Sequence, residues 1–451
     1  MTKMSKKYSS FTKTMLSIAV PVTLQNLLFS SLTFIDTLMI GTLGDLPLAA
    51  VGMAGKWTWF LGIVLFGFSS GAAVFIAQYY GAGDERGIHR THGLMGVCTL
   101  GVSLLFTAMA LLMPEKIIGL FTRDPAAIKT ACVYLRIVSL AYPFQALRRT
   151  AGTVLESTQQ VVIPFASAVC SVATNIVLNA LLIYGLCGFP ALGVAGAAIA
   201  TVTASAVDAA VIHAAGLKKK TLLRAPLSQL TDIRGDFVLH YLRIGAPALF
   251  NETTWALSNL IYSAIYGHMS TQAYASITIC KSIEDLTCVA IFGLASSCAV
   301  MLGSYVGQGD MEKTKGCAWY HLKLTVVLSL VIGLFVVLLR GGILSVFGVS
   351  DAVRADAARV LVVYGLELAL RNIPYMLVVG IFRAGGDTKY ALAVDFASAY
   401  LIGIPLTAAA GLILHLSVPV TYLVMYLSED VLKVFLYGRH FLSEKWIRPV
   451  V

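Results

Sequence analysis

The sequence predicts an all-α membrane protein of twelve transmembrane helices, built as two six-helix lobes related by an internal repeat with a pseudo-twofold axis along the membrane normal. Three observations predict it. Of 451 residues, 58% are hydrophobic and 12% charged, with mean hydropathy +0.81; a soluble domain carries about 25% charged residues. Twelve apolar runs each reach roughly the 20 residues that a spanning helix needs. The chain also repeats itself in register over much of its length.

The first six runs are Met15–Ile40, Leu48–Tyr80, Gly93–Met113, Ala126–Ala146, Val161–Leu186 and Ala191–Ala215. A basic stretch follows, from Lys218-Lys219-Lys220 through Arg224 to Arg234. The second six are Val238–Tyr266, Ala273–Tyr305, Ala318–Leu339, Ala357–Val379, Tyr390–His415 and Val418–Tyr437. The second and eighth exceed one straight span, so tilt or a cytoplasmic extension is expected. The expected organisation is a lobe over 1–216, a basic cytoplasmic linker over 217–237, a second lobe over 238–440 and a cytoplasmic tail over 441–451.

The repeat has an offset of 226 residues. It pairs Pro21 with Pro247, Gly41 with Gly267, Ala49 with Ala275, Gly67 with Gly293, Gly81 with Gly307, Gly83 with Gly309 and Asp84 with Asp310. Phe121 and Phe347 keep the offset, and Gly152 matches Gly380 after a slip of two. Six spans is an even number, so both copies insert the same way up, an architecture of secondary transporters. The copies differ where it matters: Asp36 aligns with Tyr262, and Asn26 with Glu252.

The net charge of +10 and pI near 9.1 would suggest a nucleic-acid partner for a soluble chain. Here the basic residues lie between apolar runs and read as topology signals. They mark the N-terminus (Lys3, Lys6, Lys7, Lys13), alternate loops (Arg86 and Arg90; Arg148 and Arg149; Lys218–Lys220; Lys313 and Lys315; Arg383 and Lys389) and the tail (Arg439, Lys445, Arg448). Loops near Asp45, Gly188, Met269 and Leu416 hold none, and those at Lys116 and Arg340 hold a few. Both termini are therefore expected in the cytoplasm of a multi-pass cell-membrane protein. No cleavage site follows a short apolar core, so the first run reads as a retained helix. The eight cysteines lack Cys-x-x-Cys spacing and read as small core residues.

The stretch from Pro21 to Gly41 organises the rest. It is an apolar helix with a proline in one half and a lone carboxylate, Asp36, in the other. Such a group costs about 2.5–3.5 kcal/mol on insertion scales. Pro21 lacks an amide donor and is a candidate helix kink.

Taken with the duplication, Pro21 and Asp36, Gly41-x-x-Gly44 with Leu48-Ala49-Ala50, Gly71 with Ala77-Gln78-Tyr79-Tyr80-Gly81-Ala82-Gly83-Asp84, and Arg383-Ala384-Gly385-Gly386-Asp387-Thr388 carry a resemblance. The chain resembles, over its whole length, the multidrug and toxic compound extrusion (MATE) transporters, and within them the bacterial NorM and DinF-like branches. The resemblance implies a cation-coupled antiporter, using H⁺ or Na⁺, that exports organic, cationic or amphipathic compounds. It implies a cation site of Asp36 with Asn175 and Asn179; Thr201 in the sixth run is a candidate to complete the shell. Those three of Asp36, Asn175 and Asn179 would be metal ligands only under Na⁺ coupling. The residues agree: a spacing of four puts both amides on one helix face, and a carboxylate with two carboxamides suits Na⁺ or a protonated acid. The alternative is that the asparagines merely join helices.

The resemblance also implies, for some members, a second-lobe cation site, at positions held here by Trp255 and Asn372. Glu252, one turn before Trp255, could substitute. Glu367 with Arg371, and Lys281 with Glu284 and Asp285, are spaced to pair. A central cavity for cationic compounds would be apolar and aromatic. Candidates for it are Met53, Trp57, Trp255, Tyr262, Glu252, Glu284 and Asp285, with Trp59 a further aromatic.

Other classes fit less well. Gly67-Phe68-Ser69-Ser70-Gly71 fits G-x-S-x-G but lies inside an apolar run, and Gly81-Ala82-Gly83-Asp84 lacks a Walker lysine. No enzymatic activity and no cofactor beyond the coupling ion are expected. The expected partners are a drug-like small molecule and membrane lipids, not nucleic acid, and the chain is expected to be a monomer. A lipid-linked saccharide flippase would want a cationic cavity, against which Glu252, Glu284 and Asp285 argue. A membrane-embedded enzyme is the remaining alternative.

Overall fold

The computed structural model describes residues 3–345, 347 and 349–451. Twelve long helical segments account for most of it: α1 (Lys3–Gly41), α2 (Asp45–Ala82), α3 (Glu85–Leu112), α4 (Pro125–Ser157), α5 (Val162–Tyr184), α6 (Val194–Lys218), α7 (Gly235–Met269), α8 (Thr271–Thr287 and Val289–Gly307), α9 (Met311–Ser345), α10 (Asp351–Gly385), α11 (Thr388–Ile413) and α12 (Val418–Leu442). Among the described residues, ten helices are long and apolar enough to cross a membrane. The two segments outside that set are α7, which carries Asn251-Glu252, and α12, which carries Glu429-Asp430 and Lys433.

The chain forms two compact units, Val20–Leu242 and Met1–Ala19 with Arg243–Val451. Three segments near the expected boundaries are packed onto these units. The start of α1 joins the C-terminal unit, where Phe11 packs 6.0 Å from the rings of Tyr305 and Tyr320 and Thr12 shares a 2.8 Å hydrogen bond with Tyr320. The basic linker is folded onto α3 of the N-terminal unit. Gln229 bonds His89 Nδ1 at 2.6 Å, Arg90 donates to the Asp232 carbonyl at 2.8 Å, and Arg86 pairs with Asp232 at 2.9 Å. The Arg86 hydrogen bond holds the Asp232 carboxyl below its usual range. Gly93 is obligatory at this contact, since a Cβ there would lie 1.9 Å from the Leu230 carbonyl oxygen.

The tail is not free either. Arg448 donates its amide to the Gly385 carbonyl at 2.7 Å, Gly386 and Ile447 form an antiparallel bridge, and Trp446 is 1% exposed.

The Gly-x-Gly-Asp turns repeat in structure as in sequence. Gly83 (φ 74°) and Gly309 (φ 70°) adopt the left-handed conformation that only glycine takes without strain. The following aspartates cap the next helix, Asp84 accepting from the Gly87 amide and Asp310 from the Lys313 amide, each at 2.9 Å. Ser69 bonds back to the Leu65 carbonyl inside α2, as a helical serine does.

The long second run stays one helix. Three features depart from the expected spans. The eighth run breaks at Cys288. Turns of π-helix interrupt α10 at Met376–Phe382 and α11 at Ala397–Gly403 and Ala409–Ile413. Arg148 and Arg149, read as loop charges, lie inside α4: the Arg148 guanidinium sits 5.1 Å over the Phe29 ring with Nε 3.4 Å from Asp208, and Arg149 lies over Phe66. They are tolerated there because aromatic faces and a carboxylate replace water.

Candidate cation site

Asp36 lies on the second half of α1, past Pro21, which α1 passes through as one continuous helix. On α5, Asn175 and Asn179 stand one turn apart and are each 1% exposed. Asn179 Nδ2 donates to Asp36 Oδ1 at 2.6 Å and to Asn175 Oδ1 at 2.8 Å. Asn175 Nδ2 in turn reaches Thr201 Oγ1 on α6 at 3.4 Å, and that hydroxyl donates to the Ala197 carbonyl at 3.0 Å. The four nominated residues thus form one hydrogen-bonded row across α1, α5 and α6.

The row is one-sided. Its amide donors are spent on the carboxylate and on each other, while Asn179 Oδ1 is buried without a hydrogen-bond partner among the described residues. An orphaned buried acceptor beside a carboxylate is a place a cation can satisfy. Ile40, Ile183 and Ala197 are packed beside it, with Met39 and Tyr134 against them, which keeps the surroundings apolar. Tyr134 was not nominated; its helix, α4, shows no sequence signal linking it to α1. A second polar tie of α1 also escaped the sequence: Gln25, 6% exposed and one turn after Pro21, donates to Glu156 on α4 at 3.3 Å.

The residues nominated for a substrate cavity stand on several helices, some of them engaged with other side chains. Glu252 pairs with Arg383 at 2.6 Å, so its charge is neutralised within the C-terminal unit. Its neighbour Asn251 donates to Asp395 and accepts from Arg383, each at 2.6 Å. Glu284 is 3% exposed and bound by Lys281 at 2.9 Å and by Arg371. Arg371 therefore pairs across helices with Glu284, not with Glu367 four residues away. Asp285 is exposed and 3.7 Å from Lys281. Tyr262 is 8% exposed and donates to Glu429 at 2.9 Å, so it is a buried ligand of an acid. Trp255 is exposed, whereas Trp57 is half-buried and packed 4.7 Å from Phe106 in the N-terminal unit. Met53 is half-buried on α2. Asn372 donates to Ser329 at 2.9 Å. Two cavities of the N-terminal unit, of about 280 and 430 Å³, are lined by none of these residues.

The acids of α12 carried no sequence signal beyond their charge. Lys433 lies 3.1 Å from Asp395 and also binds Glu429, so α11 and α12 are joined by a half-buried ionic group.

A family profile described as MatE matches residues 21–181 and again 247–409, two copies starting at the paired prolines. A probable multidrug resistance protein NorM of Thermotoga maritima is 23% identical over 97% of this chain and 94% of its own length. The multidrug resistance protein MdtK of Edwardsiella ictaluri is 25% identical over 89% and 88%. Among solved structures, a mutant of the Vibrio cholerae MATE transporter VcmN superposes with a TM-score of 0.89 at 18% identity, covering 98% of this chain and 99% of that one. A Pyrococcus furiosus transporter of the MOP superfamily, described as having a binding pocket of reversed polarity, gives 0.86 at 20% identity over 96% of each chain.

Proposed function

Because the chain belongs to the MatE family of multi-pass membrane transporters, we propose that it is a cation-coupled antiporter that exports organic, cationic or amphipathic compounds, with both termini in the cytoplasm. The printed descriptions of its relatives as multidrug resistance proteins support the substrate class. One observation carries the coupling: Asp36, alone as a carboxylate, is bound by Asn179 next to an unsatisfied amide oxygen. An H⁺ or Na⁺ arriving there neutralises Asp36 and removes the charge that Asn179 now stabilises. The α1–α5 contact is thereby weakened or rebuilt around the ion, and α1 has Pro21, without an amide donor, as the point where it can bend. Export follows only if ion and compound favour different conformations; equal preference would move nothing.

The test is efflux from proteoliposomes under separately imposed Na⁺ and pH gradients. Wild-type protein should export a cationic dye under at least one of them, and Asp36→Asn at equal incorporation should lose gradient-driven export while still binding dye. Undiminished export by Asp36→Asn would remove the assigned role.

A further inference from the structure

A cavity of about 280 Å³ in the N-terminal unit is bounded by α3, α4, α6 and the folded linker. Its two ends differ. At one stand His92 of α3 and His213 of α6, beside Leu230 and Thr231 of the linker. Toward the other run Val97 and Leu100 of α3, with Ala146 and Leu147 of α4. From His92 to Leu100 the helix rises about 12 Å. The hydroxyls along this length are already engaged. Thr99 and Thr150 share a 3.0 Å hydrogen bond and bond back to the Met95 and Ala146 carbonyls, each at 2.8 Å, and Thr231 donates to the Leu227 carbonyl at 2.9 Å. Val97 and Leu147 are exposed on helices apolar enough to cross a membrane. The apolar wall is therefore continuous with the lipid-facing surface, and the free polar groups are gathered at the histidine end.

The chemistry of that end follows from what the imidazoles already bind. His213 Nδ1 lies 2.7 Å from the Ala209 carbonyl, which only accepts, so Nδ1 carries the proton and Nε2 of the neutral ring is left as a lone pair. His92 Nδ1 is buried with no hydrogen-bond partner among the described residues. Such a pair suits a head group that donates to one ring and accepts from the other. A carboxylic acid does both from adjacent oxygens, whereas an ester or a phosphodiester has no proton to give. The volume lies at the lower edge of the roughly 300–1,000 Å³ of ligand pockets, which suits one chain and not the two of a phospholipid.

We propose that this cavity binds a single-chain carboxylic acid from the membrane, a fatty acid, with its head between His92 and His213 and its chain along α3 and α4. The site shares no residue with the Asp36 row and stands independently of the antiport reading.

Photolabelling of the purified full-length protein in phospholipid nanodiscs tests it, with dodecanoic acid carrying a diazirine near its methyl end as the probe. Adducts should map to residues 93–100 of α3 or 146–150 of α4, and excess unlabelled dodecanoic acid should suppress them. The methyl ester of the probe should label these segments about fivefold less, the effect of losing one neutral hydrogen bond. His213→Ala should bring labelling by the acid down to that of the ester. Equal labelling by acid and ester in the wild-type protein would overturn the proposal without recourse to a variant. So would adducts spread over other lipid-facing helices, or suppression by added phospholipid as complete as that by the free acid. A folded His213→Ala protein that still prefers the acid would likewise remove the head-group assignment.

Discussion

Asn179 is the residue through which Asp36 is tied to its own bundle, since a single amide nitrogen serves both the carboxylate and Asn175. A hydrogen bond to a charged group contributes about 1.5–3 kcal/mol to keeping Asp36 ionised, so Asn179→Ala should strengthen the apparent affinity for H⁺ roughly 10- to 100-fold, whereas under Na⁺ coupling the loss of the Oδ1 ligand should weaken it. The concentration of Na⁺ or H⁺ giving half-maximal efflux measures this; an unchanged midpoint would mean that the amide takes no part in ion binding. These residues were legible because helical spacing of four is local, and because the resemblance points to the same three positions. The pairing of charges was not. Glu367 and Arg371 have ideal spacing, yet Arg371 turns to Glu284 on another helix. Glu284 already holds Lys281, so the guanidinium completes a three-membered ionic group there, and the sequence does not say which helices adjoin.

At the scale of elements, glycine makes a close helix approach in the C-terminal unit. A Cβ on Gly365 of α10 would lie 2.6 Å from the Gly333 carbonyl oxygen of α9, and one on Gly333 would lie 2.1 Å from that of Gly365. Small residues let backbones touch where lipid offers no hydrophobic driving force between helices. Gly365→Leu should therefore lower the thermal unfolding midpoint, by an overpacking cost of about 1–3 kcal/mol, while Gly341→Ala, at an open position, leaves it unchanged. Thermal melts of both proteins in the same detergent are the measurement, and equal midpoints would show that the helices can separate without loss. Spans and Gly-Asp turns were readable because apolar length and a positive φ leave residue-level marks. The break at Cys288 and the π-helical turns of α10 and α11 were not. They shift backbone hydrogen bonds by one residue in answer to packing, with no change of residue pattern to announce it.

At the scale of the molecule, duplication supplies two similar frames and divergence fills them differently: an acid tied to amides on α1 in one, and acids paired with bases on α7, α8, α11 and α12 in the other. The frame was fully legible, because a register of paired glycines and prolines survives where side chains change. The ends of the chain were not, since a polar, basic tail reads as solvated. Here both ends converge on the start of α9. Thr12 meets Tyr320, Glu444 pairs with Lys315 at 2.6 Å, and Phe441 packs 4.9 Å from Trp319. Trp446 then fills the space over Gly385, and Asp387, 1% exposed, receives His440 at 2.9 Å and Arg448 at 3.2 Å. The tail is thus the cover of the α10–α11 turn. Truncating a buried tryptophan to alanine costs about 3–5 kcal/mol, more than a short terminal segment can lose and stay docked. Trp446→Ala should accordingly release residues 446–451 without unfolding the helices: hydrogen exchange at the Arg448 amide, now bonded to Gly385, rises to that of a free terminus, and Gly386 and Asp387 lose protection with it. Persistent protection at Arg448 would mean that the ion pairs to Asp387, and not the indole, hold the tail in place.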